Sequence, residues 1–97
     1  MAKGYWVVNN VVDDPEAYRV YQAFVGPYLA GRGAKFLTRG GQQTIVEGEL
    51  LPRTMIVEFP SYADAVAAYE TADYENARKL RLGLSRGTFA IVEGLGG

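Results

Sequence analysis

Glu58 and Arg39 are the two side chains whose types and settings could do chemistry in this 97-residue chain. Glu58 follows Ile56 by two positions near the end of a strand-like run, so the carboxylate shares a face with apolar neighbours. A carboxylate on a partly apolar sheet face has a raised pKa and works as a general acid or base. Its plainer role is that of an exposed or arginine-paired glutamate at a strand end. Arg39 stands beside Gly40-Gly41, where the missing side chains let a ligand approach a planar donor fork. Such a guanidinium holds a carboxylate, a phenolate or a developing oxyanion, or else it bridges to Glu47 or Glu58. Trp6, Asn10, Tyr69 and Tyr74 offer stacking and hydrogen bonds to a flat aromatic ligand. Their plainer role is core packing, with tyrosine hydroxyls reaching water. Glu47 and Glu93 precede glycines and read as solvated strand ends, and Arg53 reads as a surface or bridging residue.

The elements that must position these residues follow from periodicity. The tripeptide Ile-Val-Glu occurs at 45–47, 56–58 and 91–93. Each copy reads as strand, with Ile and Glu on one face and Val on the other. Tyr5 to Val12 is the first strand, aromatic and β-branched. Asp14 fits a helix N-cap, with Pro15 at the first helical position and Glu16 in the first turn. Tyr18, Tyr21, Phe24, Val25, Tyr28 and Leu29 then recur at helical spacing, with Gly26-Pro27 expected to kink or split the helix. Lys35 to Arg39 and Gln43 to Glu47 read as one long strand bent at Gly40-Gly41, in preference to two strands and a tight turn. Arg53 to Phe59 is the next strand. Ser61 with Asp64 resembles a capping box for a second helix, and Asp73 recaps a further segment carrying Tyr74, Ala77 and Leu80 or Leu84. Thr88 to Glu93 closes the sequence of elements.

The order βαββαβ defines an α+β, ferredoxin-like arrangement: a four-stranded antiparallel sheet with two helices on one face. Met55, Val57 and Phe59 are uniformly apolar and belong under the helices. The Ile/Glu row then points to a bare face, where Ile45, Ile56, Ile91 and Tyr5 or Trp6 form an apolar patch. The simplest cover for it is a second copy packed sheet to sheet.

Composition narrows the function classes. The length suits one domain, 1–97, with 48% hydrophobic and 22% charged residues. There is no cysteine and no histidine, which excludes thiol or serine–histidine nucleophilic catalysis and leaves only carboxylates and carbonyls for a metal. The net charge of -1 argues against nucleic acid and anionic membrane as partners. RNA-recognition modules share the βαββαβ order, but glutamates on the open face would repel phosphate. Arg78, Lys79, Arg81 and Arg86 read as a solvated face favoured by the helix dipole. No window suggests a signal peptide or membrane span, so a cytoplasmic location is expected.

Gly4-Tyr5-Trp6, Asp14-Pro15-Glu16-Ala17-Tyr18, Phe36-Leu37, Arg39-Gly40-Gly41, Glu47-Gly48, Arg53, Glu58-Phe59-Pro60-Ser61, Tyr74 and Val92-Glu93-Gly94 occur in that order. In this the chain resembles the bacterial family called domain of unknown function 1330, within the dimeric α+β barrel superfamily, from about Lys3 to Leu95. The resemblance implies a homodimer joined through its sheets. It also implies kinship in fold with cofactor-free monooxygenases, muconolactone isomerases, haem-dependent chlorite-degrading enzymes and stress-responsive binding proteins. The haem branch lacks its iron ligand here, since there is no histidine. The reading is therefore a homodimer without metal or cofactor, acting as an oxygenase- or isomerase-like enzyme on a small aromatic or enolisable molecule. Glu58 would serve as acid/base and Arg39 as anion holder. The alternative is a small-ligand-binding or stress-related protein without turnover.

Overall fold

The structure is a computed structural model and describes residues 2–96. Four strands, β1 (Gly4–Val12), β2 (Lys35–Arg39), β3 (Arg53–Phe59) and β4 (Ser85–Glu93), and three helices, α1 (Pro15–Ala30), α2 (Tyr62–Tyr69) and α3 (Ala72–Arg81), follow in the chain order β1-α1-β2-β3-α2-α3-β4. The sheet is antiparallel in the order β2-β3-β1-β4. This is the ferredoxin-like α+β arrangement, with the second helical layer divided in two.

Local chemistry sets the helix starts. Asp14 accepts a hydrogen bond from the Ala17 backbone N–H at 3.1 Å, and Pro15 loses nothing at the first helical position. Ser61 caps α2 through the Asp64 N–H at 3.1 Å. Thr71, rather than Asp73, caps α3 through the Tyr74 N–H at 3.0 Å. α1 runs unbroken through Pro27, against expectation. The turn beyond it is anchored from outside, because the Tyr28 hydroxyl meets both the Ala68 carbonyl and the Thr71 hydroxyl while Leu29 is buried.

One core joins sheet to helices. Trp6, Val57 and Phe59 rise from the sheet to meet Tyr18, Tyr21, Val25 and Leu29 of α1, Ala65 and Ala68 of α2, and Tyr74 and Ala77 of α3. Trp6 is the centre of it, with its ring 5.0 Å from those of Phe59 and Phe89 and 5.1 Å from that of Tyr74. Its indole N–H donates to the Ala65 carbonyl at 2.8 Å, so the polar handle costs nothing on burial.

The register decides the faces. Met55, Val57 and Phe59 lie on the helix side, as their alternation requires. Ile91 pairs with Trp6 and so joins the helix side too, not the bare face. The third Ile-Val-Glu copy is thus phased oppositely to the second. The first copy is not strand at all: β2 ends at Arg39, and residues 41–52 form an exposed loop. There the Asn9 and Gln43 side chains supply hydrogen bonds to the Leu51 and Arg53 backbone that a ladder would have supplied, and the Thr54 hydroxyl holds Gln43 in place by donating to its Oε1. The bare face accordingly carries Tyr5, Val7, Asn9, Ile56, Glu58, Ala90 and Val92.

Candidate functional site

Arg53, Met55 and Val57 share the helix-facing side of β3, and across β1 their partners are Asn10, Val8 and Trp6. Over these residues α1 lays Tyr18, Tyr21, Gln22, Val25 and Leu29. The space left between is a cavity of ≈ 190 Å³. That is below the ~300–1,000 Å³ of drug-sized ligand sites, so it has room only for a small molecule.

The cavity's charge is one-sided. Arg39, Arg53, Arg81 and Arg86 all line it, and no Asp or Glu does. Arg86 is paired with Asp13 at 3.5 Å. Among the described residues, no carboxylate lies in ion-pair range of Arg39, Arg53 or Arg81. Aromatic faces hold these guanidinium groups instead. Arg39 sits 4.2 Å from the Phe36 ring centre, Arg53 5.8 Å from Tyr18, and Arg81 5.6 Å from Tyr21. Stacked cations with N–H donors to spare are able to receive an anion, and the planar fork suits carboxylate or phenolate.

Two glycines shape the wall. Gly40 has φ 74°, and a Cβ there would lie 2.8 Å from Arg53 Nε. Gly87, at φ 152° opposite Asn10, leaves no space for a side chain against the Asn9 carbonyl. Both positions therefore require glycine, one to seat Arg53 and one to close the sheet beside Asn10.

The expected site residues separate into groups. Trp6, Asn10 and Arg39 line the cavity. Tyr74 does not: it is 0% exposed, and its hydroxyl meets that of Tyr21 at 2.7 Å behind the cavity wall. Tyr69 is also off the cavity, its ring against Tyr74 and Phe89 and its hydroxyl accepting from Arg78 at 3.2 Å. Burial raises the Tyr21 hydroxyl pKa above the ordinary tyrosine range, with Tyr74 adding to the effect, and burial raises Tyr74 as well. Tyr21 is thus held in its neutral form.

Glu58 lies on the other face of the sheet from Arg39, which corrects the expectation of one site containing both. Its carboxylate meets Lys35 Nζ at 3.2 Å and accepts from the Tyr5 hydroxyl at 3.2 Å. Burial acts to raise its pKa, but the Lys35 and Tyr5 hydrogen bonds and the lysine charge outweigh it and hold the group below the ordinary carboxylate range. That is the opposite of a poised general acid. Tyr5 is raised in turn, by burial first and then by its bond to Glu58.

Arg53, Arg81, Tyr18 and Tyr21 line the cavity without having been singled out for it. Arg53 was detectable by parity, since positions 53, 55, 57 and 59 share a face. Arg81 belongs to a run that reads as solvated, and only the return of α3 to β4 carries it inward. Among the described residues there is no group of three or more His, Cys, Asp or Glu side chains able to hold a metal, and no helix is long and apolar enough to cross a membrane.

Fold and cavity place the molecule with small ferredoxin-like α+β proteins. The chain belongs to the family Domain of unknown function (DUF1330), whose model matches residues 3–95. No curated protein matches it. It is similar in structure to a protein of unknown function from Rhodopseudomonas palustris, at 21% identity and TM-score 0.73 over 99% of this chain and 85% of that one. It is also similar to an EthD (ethyl tert-butyl ether) family protein from Bacillus halodurans, at 15% identity and TM-score 0.56 over 98% and 100% of the two chains. A third likeness is to a Nitrosomonas europaea protein assigned as an antibiotic biosynthesis monooxygenase, at 12% identity and TM-score 0.56 over 99% and 92%. At these identities the likeness establishes the fold alone.

Proposed function

We propose that the cavity between sheet and α1 binds a small organic anion, aromatic or enolisable, and that the protein acts on it without a cofactor. The observation that carries this is the set of four arginines around one small cavity with no carboxylate among its lining. Of the four, Arg53 and Arg81 are half-buried with no carboxylate among the described residues in ion-pair range, and a resident anion offsets the cost of enclosing their charge. The same charges favour the ionised form of a bound phenol or enol. An enolate held this way is the species that reacts with dioxygen or takes its proton back at another carbon. The fold is shared with a Nitrosomonas europaea protein assigned to antibiotic biosynthesis monooxygenases, which agrees with such chemistry.

One observation favours the alternative of binding without turnover. No histidine exists and no carboxylate lines the cavity, so a proton leaving the substrate has no protein base to receive it. A ligand already ionised in water would then simply be held.

The proposal extends to a cytoplasmic homodimer joined through the bare sheet face. Tyr5, Val7, Ile56 and Val92 lie on that face. Hydrogen bonds from Asn9 and Thr54 tie the 41–52 loop to it, and this loop exposes Ile45, Val46 and Leu50. A second copy is the simplest cover for the apolar part of this face.

The test is a thermal-shift screen of phenols, quinones, lactones and carboxylates on wild type, Arg39→Ala and Arg53→Gln. Aromatic or enolic anions should raise the melting temperature by mass action, and the rise should shrink in both variants. Equal shifts with neutral analogues, or shifts untouched by both substitutions, would remove the anion site. Dioxygen uptake or an absorbance change with the best anion then separates turnover from binding.

A further inference from the structure

Asn10 and Arg53 are direct partners across β1 and β3, both on the cavity side. Asn10 is 6% exposed. Its Oδ1 is buried with no hydrogen-bond partner, and so is Nη1 of Arg53. These are the two such side-chain atoms among the described residues, and they fall in one cross-strand pair. A buried polar atom without a partner is normally eliminated from a fold, because it forfeits its bond to water and gains nothing in return. An orphan acceptor and an orphan donor on two residues that line one cavity, not bonded to each other, point to a third molecule that each side chain reaches by turning toward it.

We infer that the ligand carries two functions: an anionic oxygen for Arg53 and a hydroxyl hydrogen for Asn10 Oδ1. The class is a small hydroxylated aromatic anion. This rests on the reading of the cavity as an anion site and adds a specificity-determining residue to it. Arg53 alone would accept any carboxylate. Asn10 discriminates, since a site with a buried unpaired acceptor penalises a ligand that brings no donor. The last torsion of asparagine is broad, so the carboxamide turns its oxygen onto a ligand hydroxyl at little cost. Gly87 opposite Asn10 and Gly40 behind Arg53 keep both side chains seated. The walls beside them, Trp6, Tyr18 and Tyr21, suit a ring.

The experiment is calorimetric titration of wild type and Asn10→Leu with benzoate, 3- and 4-hydroxybenzoate and their methyl ethers. A free ring hydroxyl should strengthen binding to wild type by roughly 3- to 10-fold over benzoate, the range one net hydrogen bond supplies. The methyl ethers should lose that gain. 2-Hydroxybenzoate, whose hydroxyl is already bonded to its own carboxylate, should show little of it. In Asn10→Leu the preference should vanish while benzoate still binds, and the melting temperature should hold or rise because an unsatisfied group has been removed. A hydroxyl preference that survives Asn10→Leu, or ethers that bind as well as phenols, would overturn the inference while leaving the anion site standing. Failure of every anion to bind would overturn both. The wild-type comparison of phenol with ether decides the matter even if the variant does not fold.

Discussion

Arg39 and Glu58 point to opposite sides of one sheet: Arg39 is aligned with Met55 on the helix side, and Glu58 with Lys35 and Tyr5 on the bare side. The consequence is a division of labour. Under the proposed function anion recognition falls to the cavity, while Glu58 is held in an ion pair with Lys35. Glu58→Gln should therefore leave ligand affinity unchanged, within about twofold by titration, whereas Arg53→Gln should weaken it at least ~10-fold, as loss of a charge-assisted hydrogen bond implies.

Glu58 should instead appear in the pH dependence of stability. Its folded pKa lies below the ordinary glutamate value. A carboxylate depressed by folding contributes stability above the unfolded pKa and loses it as pH falls through the folded one. Wild type should thus lose melting temperature below about pH 4.5 more steeply than Glu58→Gln. Parallel curves for the two proteins would show that the pair with Lys35 contributes nothing.

The buried Tyr21–Tyr74 hydroxyl pair predicts non-additive stability. Tyr21→Phe strands the Tyr74 hydroxyl in the core and should cost about 1–3 kcal/mol in urea denaturation. The double change to phenylalanine should cost less than the sum of the two single changes. Both tyrosines are raised by folding, so their contribution is intact at neutral pH and falls away as pH rises past ~10, where the unfolded tyrosines ionise. Tyr21→Phe should flatten that alkaline loss.

Gly40→Ala tests the seat of Arg53. The new methyl would meet Arg53 Nε on a backbone with φ 74°. Destabilisation of roughly 1 kcal/mol or more should follow from the backbone alone. Anion affinity should fall further than that of an equally destabilised variant remote from the cavity, such as Gly33→Ala, whose backbone is similarly left-handed and whose new Cβ would meet only Pro60.

Ile56→Lys probes the proposed dimer. Ile56 is central on the bare face, flanked across β1 by Val7. If two sheets pack together there, sedimentation should show a dimer for wild type and a monomer for the lysine variant, with the cavity residues undisturbed. Unchanged sedimentation would place any self-association elsewhere.

Much of this architecture is legible in the residues. Period two in Met55, Val57 and Phe59 identifies the buried face of β3, and Asp14-Pro15 and Ser61 announce two helix starts through capping chemistry. The identical tripeptides mislead because strand formation depends on what lies alongside. Residues 56–58 have β1 and β2 as neighbours, whereas 45–47 have no strand to pair with once β2 ends. Ile91 is phased by its pairing with Trp6, which no local pattern in β4 reveals. The cavity is hidden for a related reason. Arg39, Arg53 and Arg81 are far apart in the chain, and each has a bland surface reading on its own. Only the fold sums them against a wall that contains no carboxylate.

The central claim is tested most directly by following the chain's one tryptophan, whose indole N–H is fixed on Ala65 and whose ring borders the cavity. In a nitrogen–proton correlation spectrum titrated with 3-hydroxybenzoate, saturable shifts should concentrate at the Trp6 indole, the Asn10 side-chain amide and the Arg53 Nε–H. Shifts confined to the opposite face, at Tyr5, Lys35 and Glu58, or no saturable shift at any cavity residue, would contradict an arginine-lined anion site.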